Sequence, residues 1–283
     1  MMPNSMQLAA LRAAADTGRW RREVKQVVTI LFVFVVGCAA APQARPPFPA
    51  PDLGKLSPTE LFGYRIYQLD QAAWVATDAA LKSGLSATPI QGWLAVPSGS
   101  SFLVRFIGPC GSASCSYIDV QLAEQALPPK VVRLEPPVAL PEEHAAMWRA
   151  RQLAVASKFR ACTPKYNTVV VPTEQDGAVA WRVYLLAASE DPEEVVLAGH
   201  HRITVTSDGR SIISSEALSK SCIVSKPELN QDLAGLFITH VLNPEPIETH
   251  VFTSLNYRVP LFVGTKRGTF QVEGASIRLV DPR

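Results

Sequence analysis

The spacing of hydrophobic and polar residues predicts two amphipathic helices, each followed by short strands. Between residues 58 and 82 apolar side chains recur every three or four positions, the period of a helix with one buried face. Ser57 suits an N-cap before Pro58, and Gly84 suits the position just past a helix end. We therefore predict a helix over Pro58–Lys82. Its aromatic residues, Phe62, Tyr64, Tyr67 and Trp74, are expected to pack in the core rather than to form a ligand platform.

A second helix is predicted over Glu142–Arg160. Acidic residues begin it, and Lys158 and Arg160 end it, an order that suits the helix dipole. One face carries Trp148, Gln152, Val155 and Phe159 and is expected to pack on a sheet.

Short runs rich in β-branched and aromatic residues, bounded by Gly and Pro, predict strands. Strands over Thr249–Val280 are expected to turn at Asn256, at residues 266–268 and at residues 273–274. The fold class is therefore α+β: antiparallel sheets of short strands with two main helices, in a helix-on-meander unit followed by C-terminal β hairpins. The other predicted strands are Ile90–Val96, Ser101–Ile107, Tyr117–Leu122, Val131–Leu134, Tyr166–Val171, Val179–Ala187, Val195–Thr206 and Arg210–Ser214.

The start of the chain has the order of a secretory signal. Basic residues up to Lys25 precede an apolar run, Val27–Val36, and small residues follow it. The run is too short for a spanning helix, which needs about 20 residues. Val35-Val36-Gly37-Cys38 resembles a bacterial lipobox, which implies a lipid on Cys38. An uncleaved or conventionally cleaved signal is the alternative reading.

The lipobox resemblance implies both where the mature chain begins and where in the cell it is located. Residues 1–37 would be the signal peptide, and residues 38–56 a Pro-rich tether between lipid and domain. Ala39 resembles the residue found in lipoproteins that leave the inner membrane, which implies an outer-membrane location facing the periplasm. The rest divides into residues 57–140 and 141–283, or forms one integrated domain, 57–283. The leader is longer than usual, and a start at Val24 would shorten it.

The charge balance of the chain after residue 37 predicts neither a nucleic-acid-binding surface nor a polybasic membrane-binding patch. The whole chain has 27 basic and 25 acidic residues. Residues 1–37 hold five of the basic and two of the acidic ones, so the remainder has 22 against 23 and a net charge of −1. We expect no nucleic-acid partner.

Four cysteines remain once Cys38 is assigned to the lipid. An even number in an oxidising compartment predicts two disulfides, for which three connectivities exist. We favour Cys110 with Cys115, because the intervening residues are small, and Cys162 with Cys222. A redox pair or a metal site is the alternative.

The histidines are the main candidates for chemistry. His200 and His201 are adjacent on a predicted strand and should face opposite sides, His201 toward the core and His200 toward the polar side. His240 and His250 flank a proline-containing turn and could converge with Glu245 or Glu248 if that turn is a tight hairpin. Three ligands at a recognisable metal spacing are missing, so we predict neither a metal nor a cofactor.

The chain lacks Gly-x-Ser-x-Gly, Ser-x-x-Lys and His-Glu-x-x-His, and no P-loop is present. The leading hypothesis is a non-catalytic envelope lipoprotein that binds a protein, peptide or glycan partner through strand edges. An envelope hydrolase whose site forms only in the fold, and a small-molecule carrier or sensor, are the alternatives. The predicted interaction residues are His200, Arg202, Thr204, Glu245 and His250.

Overall fold

A computed structural model describes residues 46–84, 89–122, 128–228 and 233–282. The signal peptide and the lipobox with Cys38 lie outside these residues. Of the predicted tether, residues 46–52 have no regular structure and a single 3₁₀ turn covers Leu53–Lys55. Phe48 is half-buried and contacts Gly274, so this end of the tether packs on the domain.

Helix α1 spans Pro58–Lys82, as predicted. Ser57 and Glu60 form a capping box: Ser57 Oγ accepts from the Glu60 N–H, and Glu60 Oε2 accepts from the Ser57 N–H at 2.7 Å. The predicted core role of its aromatic residues is wrong for Trp74, which is 64% exposed. The helix turns that side chain away from the small residues, such as Ala72 and Ala76, that pack on the sheet.

The first sheet is an antiparallel meander in the order β1-β2-β3-β4. It packs on α1 through Val104, Phe106, Ile118 and Val120. The last strand is longer than predicted and runs through Pro136 and Pro137, because an edge strand tolerates the missing N–H groups. The strands are β1 Gly92–Ser98, β2 Ser101–Cys110, β3 Ala113–Leu122 and β4 Lys130–Ala139.

The helix-on-meander unit is confirmed. Helix α2, Glu142–Ala156, packs on a second antiparallel sheet in the order β5-β6-β8-β9. The helix ends four residues before the predicted Arg160, and Val155 is exposed rather than buried. Of the predicted face, Trp148 is buried in this core and Phe159, just past the helix, packs against it. Alanines at 146, 150 and 154 complete the contact face, since small side chains let the helix approach the sheet closely. The strands are β5 Lys165–Gln175, β6 Ala178–Ala188, β7 Val195–Ala198, β8 His201–Thr206 and β9 Ile212–Ala217.

The predicted single strand Val195–Thr206 is broken in two. Gly199 adopts φ 111°, and β7 leaves the second sheet to pair with β10, Ile223–Ser225. A Cβ on Gly199 would lie 2.5 Å from Sγ of Cys162, so only glycine fits this approach to the disulfide.

The C-terminal part contains a helix that the pattern did not predict. Residues 248–257 form α3, Glu248–Tyr257, where strands were expected. Strand β11, Leu236–Thr239, pairs parallel with β12, Leu261–Thr265, so α3 is the crossover helix of a β-α-β unit. Strands β13, Gly268–Glu273, and β14, Ser276–Pro282, complete the predicted hairpins.

Helix α3 is held by packing rather than by helix propensity. Its β-branched residues, Thr249, Val251 and Thr253, are all buried. A Cβ on Gly63 of α1 would lie 2.4 Å from Cβ of Val251, so the two helices cross closely. Both helices contribute to the core that contains Tyr184 and Leu186 of β6, and the second sheet is therefore buried on both faces.

Both favoured disulfides are present. Cys110 pairs with Cys115 across Cα atoms 5.7 Å apart, and Cys162 pairs with Cys222 at 5.3 Å. The second disulfide joins the segment after α2 to the segment before β10.

Candidate functional site

A small cavity lies where the break between β7 and β8 meets the first turn of α3. Its volume is about 50 Å³, and its wall also includes the segments after β9 and β11. Three of the five histidines of the chain, His200, His240 and His250, line it, although 40 or more residues separate His200 from the other two.

His200 sits in the break at Gly199 and is 3% exposed. Its Nδ1 accepts a hydrogen bond from the backbone N–H of Ala187 at 3.0 Å. Its Nε2 is buried and has no hydrogen-bond partner among the described residues. The edge of its ring meets Phe252 of α3, with ring centroids 6.0 Å apart.

His250 is the third residue of α3 and caps that helix. Its Nδ1 accepts from the backbone N–H of Ile247, the N-cap residue, at 3.0 Å. This is the role that Glu or Gln takes in a capping box. The bond orients the ring at the start of the helix.

His240 follows β11 and meets His250 edge to face. The ring centroids are 4.8 Å apart and the planes lie at 81°. Nε2 of His240 is also buried without a partner in the described part of the chain. The two histidines therefore converge, but a β-α-β crossover brings them together and not a tight hairpin.

Glu245 and Glu248, the carboxylates that could converge with these histidines, are paired with other residues. Glu245 is exposed and pairs with Arg267. Glu248 is buried and accepts from Tyr184 Oη at 2.7 Å and from Arg202 Nη1 at 2.5 Å. Within the described ranges, no group of three or more His, Cys, Asp or Glu side chains is arranged to hold a metal ion.

Burial keeps the cavity histidines neutral. Desolvation, with a smaller contribution from His201, lowers the pKa of His200 to about 4. Desolvation lowers the pKa of His250 to about 3, and the neighbouring His240 and His200 contribute. Desolvation also lowers the pKa of His240.

The backbone bonds select one neutral tautomer of His200 and of His250. A nitrogen that accepts from an N–H carries no proton, so the proton of each neutral ring is on Nε2. A protonated Nε2 can donate a hydrogen bond, but it can neither ligate a metal nor accept a proton. These two rings are therefore hydrogen-bond donors through Nε2.

A serine beside the cavity is already engaged. Ser219 Oγ accepts from the Gly199 N–H at 2.9 Å and donates to the Ser221 carbonyl at 3.0 Å. Its proton is thus directed to the backbone rather than to a histidine. The bond to Gly199 helps to hold the break that places His200.

The predicted interaction surface is not exposed as expected. His200, Thr204 and His250 are at most 4% exposed, because α1 and α3 cover the face of the sheet that we predicted to be polar and open. Arg202 instead joins the sheet to α3: it pairs with Glu248 and, at 2.8 Å, with Glu216. His201 is buried, as predicted, against Phe159, with Nε2 3.2 Å from the Arg160 carbonyl oxygen.

Sequence reasoning missed several residues of the cavity wall. Lys220, Thr249, Val241 and Leu242 line it beside the histidines. They come from separate loops and from an unpredicted helix, and no motif connects them.

No family model, curated protein or solved structure matches this chain. Among the described helices, none combines the length and the apolar composition needed to cross a bilayer.

Proposed function

We propose that this chain is a non-catalytic lipoprotein of the bacterial cell envelope that binds a ligand in the histidine-lined cavity. The proposed anchor is a lipid on Cys38, and the proposed location is the periplasmic face of the outer membrane. The lipobox resemblance and the Pro-rich segment after it support this address. The two disulfides support it further, because such bonds persist in oxidising compartments.

One observation carries the binding function: Nε2 of His200 is buried, has its proton, and lacks a partner among the described residues. Buried donors in folded proteins are nearly always hydrogen-bonded to protein or to ordered solvent. A donor held this way beside a cavity is a group prepared for an acceptor that enters the cavity.

The same geometry favours binding over catalysis. His200 and His250 offer N–H groups where a general base needs a lone pair, and Ser219 already donates to a carbonyl. Turnover of ester, peptide or glycan substrates by the purified protein, lost in His240→Ala, would contradict this proposal and favour the hydrolase alternative.

Fatty-acid labelling tests the anchor. Cells given a clickable fatty acid should label the wild-type protein, and Cys38→Ser should abolish the label. A Cys110→Ser/Cys115→Ser variant is the matched control and should keep it. Equal labelling of Cys38→Ser would reject the lipid anchor, and fractionation with the inner membrane would reject the outer-membrane location.

A protein or glycan partner is a second candidate. Val241 and Leu242 line the cavity and are 44% and 41% exposed, and Phe237 on the edge strand β11 is 62% exposed. A photo-crosslinking residue at Val241 should capture an envelope partner in intact cells. Capture that is equal from exposed Val179 on β6 would show that no specific surface is involved.

A further inference from the structure

We propose that the histidine-lined cavity binds a small oxyanion, best represented by a carboxylate, through the Nε2–H groups of His200 and His240. This inference rests on the proposed binding function and names its ligand class. It follows from the donors in the wall, from the charges around them and from the size of the space.

The wall offers two buried hydrogen-bond donors. His200 and His240 are each at most 4% exposed, and Nε2 of each is without a partner in the described residues. The Ala187 N–H fixes the proton of His200 on Nε2. No such bond to Nδ1 of His240 is seen among the described residues, so an acceptor in the cavity can itself select the Nε2–H tautomer of His240. Two donors match the two oxygens of one carboxylate.

The charges around the cavity favour an anion. The first turn of α3, with Thr249 and His250, forms part of the wall and presents the positive end of the helix dipole. Lys220, at the exposed side, is the one charged residue of the described wall. Glu248 lies on the same turn of α3, but its carboxylate is paired with Arg202 and accepts from Tyr184.

The space fits a small group. One water needs about 10–15 Å³ of cavity volume, so a cavity of about 50 Å³ holds about three to five waters or one carboxylate group. Val241 and Leu242 at the same wall are partly exposed and apolar, which suits a short chain attached to the carboxylate.

A cation is the wrong ligand for these groups. Nε2 of His200 and of His250 bears a proton, and moving it would break the bonds to Ala187 and Ile247. A protonated nitrogen presents a partial positive charge, which repels a cation. Zinc is therefore the discriminating negative probe.

Titration of the full-length protein, purified in detergent and ¹⁵N-labelled at histidine, tests the proposal. The probes are acetate, N-acetylalanine and hexanoate, with acetamide as a neutral match for acetate and Zn²⁺ as the metal. Acetate should shift Nε2 of His200 and His240 and leave His201 unchanged. Tighter binding of N-acetylalanine would identify a peptide C-terminus as the source of the carboxylate, and tighter binding of hexanoate would identify a fatty acid.

The variant His200→Asn separates ligand binding from folding. Asparagine Oδ1 can still accept from the Ala187 N–H, while the Nε2–H is removed. We expect the acetate Kd to rise by about tenfold or more, since a hydrogen bond to a charged group is lost. His201→Asn is the control: it changes the adjacent buried histidine, which does not line the cavity, and should leave the Kd unchanged.

The outcomes distinguish a failure of the oxyanion assignment from a failure of the proposed binding function. Acetamide that binds as tightly as acetate would overturn the oxyanion assignment and leave the binding function intact. Zinc bound by the three histidines would overturn the tautomer argument. Absence of any shift with every probe would overturn both the oxyanion assignment and the cavity as the binding site.

Discussion

The backbone N–H of Ala187 donates to Nδ1 of His200 over 3.0 Å, and this bond ties the cavity to the end of β6. It turns a buried imidazole into a fixed neutral donor. The bond joins strand β6 to the break at Gly199, and the disulfide at Cys162 lies beside that break. The chemistry of the cavity is therefore a property of the fold and not of one segment.

Stability should fall with acid in part through His200. Its folded-state pKa of about 4 is below the ordinary value of 6.5, so the unfolded chain binds a proton first as pH falls. Above about pH 6.5 the ring is neutral in both the folded and the unfolded chain, and His200 does not oppose folding. Between pH 6.5 and 4 only the unfolded chain gains the proton, so the free energy of unfolding falls. From pH 7 to pH 5 we expect a loss of about 2 kcal/mol from this residue.

Urea unfolding of the wild type and of His200→Asn at pH 7 and pH 5 measures that loss. The variant lacks the titrating ring, so its free energy of unfolding should depend less on pH, by about 2 kcal/mol over this range. Equal pH dependence in both proteins would show that His200 is not held neutral by the fold.

Asp70→Asn should stabilise the protein at pH 8. Burial raises the pKa of Asp70 to about 6, against 3.8 ordinarily, even though Asn167 donates to the carboxylate. The charged form is thus disfavoured in the fold, by about 3 kcal/mol once pH exceeds 6. Asparagine can keep the bond to Asn167 without the charge.

The gain from Asp70→Asn should shrink as pH falls from 6 to 4, where the wild-type carboxyl is protonated in the fold. Asp78→Asn, an exposed change on the same helix, is the control and should alter stability by less than about 0.5 kcal/mol. Thermal unfolding across this pH range checks both. Destabilisation by Asp70→Asn at pH 8 would contradict the prediction.

Arg202→Gln should destabilise the fold by about 3 kcal/mol or more, because it leaves the carboxylate of Glu248 buried without its cation. The side chain of Glu248 is only 8% exposed. A double change, Arg202→Met with Glu248→Gln, should recover much of the loss, since no unpaired charge remains and Tyr184 can still donate.

Arg149→Gln is the comparison for Arg202, since the partner of Arg149, Glu142, is 83% exposed. Exposed ion pairs contribute about 1 kcal/mol or less. Denaturant midpoints of the three variants give the test. A loss from Arg149→Gln equal to that from Arg202→Gln would refute the structural role assigned to Arg202.

Removal of the disulfide between Cys162 and Cys222 should cost more than removal of the other one. The cysteines are 60 residues apart, against 5 for Cys110 and Cys115, and loop-closure entropy gives about 4 and about 2 kcal/mol respectively. Paired Cys→Ser variants, compared by urea unfolding, measure both losses. The opposite order would show that the native contacts around Cys110 outweigh loop entropy.

The sequence predicts those elements that are fixed by interactions between residues close together in the chain. Ser57, Pro58 and Glu60 form a cap within one turn, so the start of α1 could be read directly. Helix α3 could not, because its β-branched residues favour strands and only packing on Gly63 and the sheets makes them helical.

The cavity was beyond prediction for a related reason. The sequence places His200 on the polar face of one continuous strand, but the strand breaks at Gly199 and α3 covers that face, with Phe252 against the His200 ring. The crossover through α3 then brings His240 and His250 to it. The spacing of residues along the chain predicts neither the strand break nor the crossover helix.

The tautomers of His200 and His250 can be measured by two-bond ¹H–¹⁵N correlation spectra of the histidine-labelled protein at pH 7. The structure predicts that both rings are neutral, with the proton on Nε2 and an unprotonated Nδ1. A proton on Nδ1 of His200, or a charged ring at either position, would contradict the assignment of the cavity as a donor site for an acceptor ligand.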